Sequence, residues 1–287
     1  MVAEPAPFGI LLRRWRERRR MTQAELAAAA DSSTRHLSCL ETGRSRPSRE
    51  IVARLADRLA IPLRDQNALF LAAGFAPAFA ERSLAELAPA RVAIERILQA
   101  HKPYPAFAVD RHWNVVLSNS VLPQLYEGCS PELLRKPINA VRLTLHPLGM
   151  GPRIENYGEW RAHTIASLRQ QLETRVDPVI KALLAEVLGY PSPSAGVTLA
   201  VGDGPSRYAT PLTIATRLGT VSFLSTTTVF GTPTDVTLSE LALEMLFPAD
   251  EQTAAVVRSM LAETEAAERN GADLTMAGWA LAARRTG

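Results

Sequence analysis

The sequence predicts two domains of different class, an all-α head of five short helices and an α+β body built around an antiparallel sheet. Three observations carry this expectation. Over residues 1–73, apolar side chains recur at helical spacing between Ser, Thr and Gly punctuation. Late in the chain, Thr- and Val-rich runs are joined by turns too short for helical crossovers, which makes their pairing antiparallel. Charge is also divided. Residues 1–64 hold 13 Lys and Arg against 7 Asp and Glu, a balance of +6, and the remaining residues hold 19 against 22, a balance of −3. A basic head on a mildly acidic body is the asymmetry of a nucleic-acid-binding domain joined to a second module.

Each helix of the head has its own signals. Phe8, Leu12, Trp15 and Arg19 share one face, with arginines between them; Arg13 and Arg14 are either backbone contacts to a nucleic acid or merely solvated. Thr22 and Glu25 form a capping box ahead of Leu26 and a run of alanines. Asp31, Ser32 and Ser33 interrupt that helix and offer a new N-cap. The third helix, residues 33–41, turns Leu37 and Leu40 inward and stops at Gly43, suited to a left-handed C-cap. Ser48 caps a fourth helix with Ile51, Leu55 and Leu59, which Ile61-Pro62 ends. A fifth covers 65–73, before Gly74. Residues 74–89 mix Gly, Pro, Ala and charge, a linker between a head at 1–73 and a body at 90–268, with a tail at 269–287.

In the body, RVAIERILQAH reads as an amphipathic helix. PAFAVD and WNVVLSNS are apolar runs around a polar turn, and in the second Trp113, Val115 and Leu117 keep a strand period. Residues 154–173 read as a long helix, and DPVIKALLAEVLG as another ending at Gly189. YATPLTIATRL and TVSFLSTTTVFG read as strands, TLSELALEMLFP supplies one more, and DEQTAAVVRSMLAETEAAER is a helix with an Asp N-cap. The tail repeats a helical pattern around Met276, Trp279 and Leu281.

Several function classes are set aside. Two cysteines with no C-x-x-C pair make neither a disulfide framework nor a zinc site. The five histidines are scattered with no two at i, i+4, so no metal is expected. No G-x-S-x-G, Walker A or H-E-x-x-H motif occurs, so no catalytic residue is assigned and an enzyme is not expected. No apolar run is long enough for a membrane span and no secretory signal is present, so a cytoplasmic setting is expected.

In the head, two helices joined by three or four residues and followed by a basic loop have the spacing of a helix-turn-helix. The second helix of that motif enters the major groove. Ser33, Thr34, Arg35, His36 and Ser38 point outward and suit bases or nearby phosphates, and Arg44 and Arg46 sit just past the helix where phosphates would pass. The stretch from Leu11 to Pro62, with Thr22-Gln23-x-x-Leu26-Ala27 and Leu40-Glu41-x-Gly43-Arg44-x-x-Pro47-Ser48, resembles the Cro/C1-type (XRE-family) helix-turn-helix proteins, a lambda-repressor-like fold. The resemblance implies a double-stranded DNA operator and a homodimer. It also gives Gln23 the role of contacting the DNA backbone while bracing the recognition helix, and pairs Glu41 with a neighbouring cation.

In the body, the Asp-Arg turn and the strand from Trp113 resemble the opening of a PAS domain, an antiparallel sheet with helices across one face. The helix at 90–101, PAFAVDRHWNVVLSNS and INAVRLTLHPLGMGPRIENYGEWRAHTIASLRQQL resemble the MmyB-like regulators over residues 90–247, departing from their usual pattern at HPLGMGPR. The resemblance implies a small apolar ligand, fatty-acid-like or another apolar molecule such as a natural product, enclosed between helix and sheet, with TVSFLSTTTVF as its floor. Trp113, Asn119, Arg153, Asn156, Trp160 and His163 are the candidate contacts. Plain core packing is the alternative for Trp113 and Trp160 and is favoured over ligand contact, and an ordinary surface ion pair is the alternative for Arg153. Two other classes stay open: an enzyme or metabolite-binding protein tethered by the head, and a head that binds a protein partner.

Overall fold

The computed structural model describes residues 6–175, 177–192 and 210–269. The pattern expected around Met276, Trp279 and Leu281, and Tyr208 at the start of one expected strand, lie outside the described residues. The chain divides into two compact units. One is Met1–Glu86 with Gly231–Ser239, the other Leu87–Phe230 with Glu240–Gly287.

The N-terminal unit begins with five helices, α1 (Phe8–Arg18), α2 (Gln23–Ala29), α3 (Thr34–Glu41), α4 (Arg49–Arg58) and α5 (Leu63–Ala72). Their starts are fixed by side chains: the Thr22–Glu25 capping box is formed, Ser33 Oγ accepts from the His36 amide, and Ser48 Oγ accepts from the Ile51 amide. Their ends share one device, a residue at positive φ followed by an amide that reaches back five positions. After α3 that residue is Gly43 (φ 74°), and the Arg44 amide donates to the Cys39 carbonyl at 2.8 Å. Arg20, Asp31 and Ala60 hold the same position after α1, α2 and α4 without being glycine.

These caps let short helices meet around Leu12, Leu26, Leu37, Leu40, Leu55 and Leu59, all fully buried. Each such leucine removed from water contributes about 1.5–3 kcal/mol, which short helices cannot supply by themselves. Arg19, on the same face as the α1 apolar residues, lies against Trp15 and donates from Nε to the Leu59 carbonyl at 2.7 Å, so it caps the end of α4. The segment expected as a linker is held to this unit. Asn67 Oδ1 accepts from the amides of Ala78 and Phe79, and its Nδ2 donates to the Phe79 carbonyl.

The C-terminal unit opens with α6 (Ala88–Ala100) and the strands β1 (Ala106–Val109) and β2 (Val115–Ser118), with a 3-10 turn at Leu122–Tyr126. There follow α7 (Ala140–Leu145), α8 (Tyr157–Thr174), α9 (Pro178–Leu188), β3 (Leu212–Thr216) and β4 (Gly219–Val229). After α10 (Val236–Ser239), a short piece that lies in the N-terminal unit, come β5 (Ala242–Pro248) and α11 (Glu251–Arg269). The sheet order is β2-β1-β5-β4-β3 and every pairing is antiparallel, as the short turns required. The last strand in sequence is therefore the middle strand in space. Phe107, Glu244 and Thr227 are direct neighbours across β1, β5 and β4, one row on one face.

Two helices approach closely at Gly9. A Cβ there would lie 2.5 Å from the Glu41 carbonyl oxygen and 2.6 Å from that of Leu40, so α1 crosses the last turn of α3 backbone to backbone. Gly9→Ala is expected to force the two helices apart at a cost of about 1–3 kcal/mol, read as a lower thermal unfolding midpoint. Gly158→Ala, with nothing within 4 Å of the added carbon, serves as the control and leaves the midpoint unchanged or higher.

Candidate functional site

In the N-terminal unit the outward edge of α3 stands on a buried ionic brace. Arg16 of α1 donates to Glu41 through both Nε (2.6 Å) and Nη2 (2.9 Å), and its Nη1 donates to the Met21 carbonyl. Gln23, first residue of α2, donates from Nε2 to Glu41 Oε2 at 2.8 Å. One carboxylate thus ties α1 and α2 to the end of α3. Burial pushes the Glu41 carboxyl up, but the Arg16 and Gln23 hydrogen bonds and the Arg16 charge outweigh it and hold the group below its ordinary 4.5.

The exposed side of α3 is differently built. Ser33, Thr34 and Arg35 are exposed, His36 and Ser38 are half-buried, and Arg44 and Arg46 are exposed in the loop that follows. Ser33 is committed to its cap, and His36 Nδ1 lies 3.2 Å from Ser32 Oγ. Among the described residues no hydrogen bond or ion pair engages the side chain of Arg35, Arg44 or Arg46. Some other arginines of the unit are engaged, Arg13 with Glu17, Arg16 with Glu41, Arg19 with α4, and Arg49 with the Ala76 carbonyl over the Phe70 ring, whereas Arg14, Arg20 and Arg58 are exposed away from α3. Three cations are therefore left facing water around the start and end of one helix, where a phosphate or a guanine edge can take them.

The C-terminal unit encloses a cavity of about 410 Å³ between one face of the sheet and α7, α8 and the Leu122–Tyr126 turn. Trp113, Trp160 and His163 line it. Trp113 sits in the β1–β2 turn at φ +67°, its Nε1 donating to Gln171 Oε1 at 3.1 Å, and Gln171 in turn donates to the Arg111 carbonyl. This fixes the indole against α8. Trp160 and His163 stand one helical turn apart on α8 with ring centroids 5.5 Å apart. The Trp160 Nε1 proton is buried with no partner among the described residues.

The other three sequence candidates do not line the cavity. Asn119, 1% exposed, accepts from the Ala106 amide and donates to the carbonyls of Leu98 and Tyr104, joining α6 to the sheet. Arg153 donates to the Leu125 carbonyl at 2.6 Å, and Asn156 bridges the Pro211 carbonyl and the Thr213 amide. Each satisfies backbone groups that a loop would leave unpaired.

The sequence reading did not single out the polar residues of the sheet wall. Glu244, 6% exposed, lines the cavity from β5, with Ser225 and Thr227 beside it on β4. The signal was a lone acid inside the apolar run LALEMLF, between Leu243 and Leu246, both buried.

Among the described residues no helix is long and apolar enough to cross a membrane, and no group of three His, Cys, Asp or Glu could hold a metal ion. Compared with known families, residues 7–69 match the helix-turn-helix domain. Residues 90–260, more than half of the chain, match the ligand binding domain of MmyB-like transcription regulators. No curated protein matches the chain.

The brace sets two expectations. Arg16→Met strands a buried carboxylate and is expected to cost about 3–5 kcal/mol, measured by chemical unfolding. Because Glu41 titrates below its ordinary value when folded, its contribution is whole above about pH 4.5 and is lost as pH falls through the lowered value. A Glu41→Gln variant should therefore show a flatter loss of helical signal between pH 5 and 3 than the parent.

Proposed function

Because the chain belongs to the MmyB-like transcription regulators, we propose that it binds a double-stranded DNA operator through α3 as a homodimer, under the control of a small apolar ligand. The observation that carries the DNA half is the position of three exposed arginines: Arg35 in the first turn of α3, and Arg44 and Arg46 just past its end, none with a side-chain partner among the described residues. Arg35, in the first turn, is placed to read a base edge, with Thr34 and Ser38 as shorter contacts and His36 beside them. Arg44 and Arg46 hold the backbone, and Gln23 contributes a backbone contact while bracing Glu41. A single head makes few base contacts, so two heads on half-sites about one helical turn apart supply both affinity and spacing.

The ligand half rests on the cavity, whose size falls at the lower end of the roughly 300–1,000 Å³ of small-molecule pockets and whose walls are mainly apolar with a few convergent polar groups. Control requires a route from that cavity to α3. The connection between β4 and β5 supplies a candidate: both strands line the cavity, and the residues between them, 231–239, pack in the N-terminal unit. There Asp235, 1% exposed, accepts from Arg82 Nε at 3.1 Å, and the Val236 amide donates to the Ala80 carbonyl. A ligand that moves β4 against β5 biases a segment on which the N-terminal unit is built.

Footprinting and gel shift on the DNA upstream of the chain's own gene test the first half. Arg35→Ala is expected to cost about 1–3 kcal/mol and relax preference at one base, and Arg44→Ala to weaken all sequences alike and lower the salt slope by about 1. No preference over random DNA at moderate salt overturns the reading. For the second half, Arg82→Ala should keep DNA binding while reducing its response to decan-1-ol, an apolar probe for the cavity; an unchanged response sinks the proposed route.

A further inference from the structure

The hydrogen-bonding capacity of the cavity walls goes further than its apolar lining, and is asymmetric. On the sheet wall, Ser225 Oγ donates to Glu244 Oε2 and Thr227 Oγ1 donates to Glu244 Oε1, both at 2.8 Å. Each hydroxyl has one proton, and both are committed to the carboxylate, so the two oxygens face the cavity as acceptors only. Glu244 itself accepts one bond per oxygen and retains lone pairs on both. Among the described residues no cation pairs with it, and no Lys or Arg lines the cavity. The helix wall repeats the pattern for its threonines: Thr144 Oγ1 donates to the Ala140 carbonyl and Thr164 Oγ1 to the Trp160 carbonyl. Trp160 Nε1 is a buried donor without an acceptor among the described residues, and His163, Ser167 and Gln170 add further donor-bearing side chains to this wall.

We propose that the ligand of this cavity is an apolar molecule bearing an amine, whose N–H groups face Glu244, Ser225 and Thr227, with an acceptor or π-rich portion toward Trp160 on α8. An ammonium supplies the donors the sheet wall lacks and the charge that Glu244 lacks. A fatty-acid carboxylate, one of the apolar ligands the family resemblance allows, would bring a second anion beside the buried Glu244 with no Lys or Arg in the lining to offset it. Arg153, the side chain that could have received such a carboxylate, is not among the lining residues and donates to the Leu125 carbonyl. Glu244 also sits on the middle strand, between β1 and β4, so a ligand held there bears directly on the strand pair whose connection enters the N-terminal unit.

This inference rests on the reading of the cavity as a ligand site, and three probes of equal chain length separate the two. Decylamine, decan-1-ol and decanoic acid are titrated calorimetrically into the full chain at pH 7.5, below their aggregation concentrations. The expected order is amine, alcohol, acid, with the amine at least tenfold tighter than the acid. In Glu244→Gln, which keeps the shape and the hydroxyl contacts, the amine should weaken at least tenfold, the acid should strengthen, and the alcohol should stay within threefold. Acid binding equal to or tighter than amine overturns the inference and leaves the cavity reading standing, as does an amine preference that survives in Glu244→Gln. Failure of all three probes to bind overturns both. Should the variant not fold, the order on the parent chain decides the matter.

Discussion

A carboxylate taken out of water must be given donors, and this chain meets that demand in two different ways. Glu41 is answered completely from within, by a guanidinium fork and a carboxamide that arrive from α1 and α2. The hydrogen bonds outweigh the cost of burial, since the group stays below its ordinary pKa. The geometry that satisfies the charge also fixes the recognition edge, because the end of α3 cannot rotate without stranding Glu41 in the core. Glu244 is answered only in part, by two hydroxyls that hold it in place without neutralising it. The first carboxylate locks three helices together, and the second keeps unused acceptor capacity toward the cavity.

What could be read in advance follows from how local each interaction is. The helices of the head were legible to within a residue or two because their signals are short-range: Thr22 with Glu25, Ser33 with His36, Gly43 after α3. Three helix ends were less plain, since Arg20, Asp31 and Ala60 adopt the positive φ that glycine advertises in sequence. The pairing of Glu41 with a cation came from resemblance, and its partner Arg16 lies 25 positions away, where no periodicity points. The sheet was legible as strands and as antiparallel, but nothing in the order of the runs says that β5 becomes the central strand.

The cavity was legible only in outline. Its walls come from segments between Phe107 and Leu246, so no window of sequence contains the site. Of six residues chosen for it, the two tryptophans and His163 line the space, for bulky rings beside a cavity are both packing and lining. Asn119, Arg153 and Asn156 drew attention as polar side chains in apolar surroundings, and that polarity is consumed by loop backbone. Polar residues near a buried turn more often serve the turn than a ligand. Glu244 is the opposite case, a charge inside a strand, where the ladder already satisfies the backbone and leaves the side chain free for the cavity.

That distinction bears on how such a protein can be switched. A fully satisfied network, as at Glu41, has one low-energy arrangement and resists change. A partly satisfied one has a lower-energy state available only with ligand present, and ligand shifts the balance by RT ln(1 + [L]/Kd). Placing the incomplete carboxylate on β5, between β1 and β4, puts that gain where two strands must hold their register. Their connection leaves the sheet and returns carrying Asp235, itself a buried carboxylate answered by Arg82 and by the Thr237 amide. The chain thus strings three buried acids along one physical logic: Glu41 completed within the head, Asp235 completed where the sheet's own loop joins the head, and Glu244 left open.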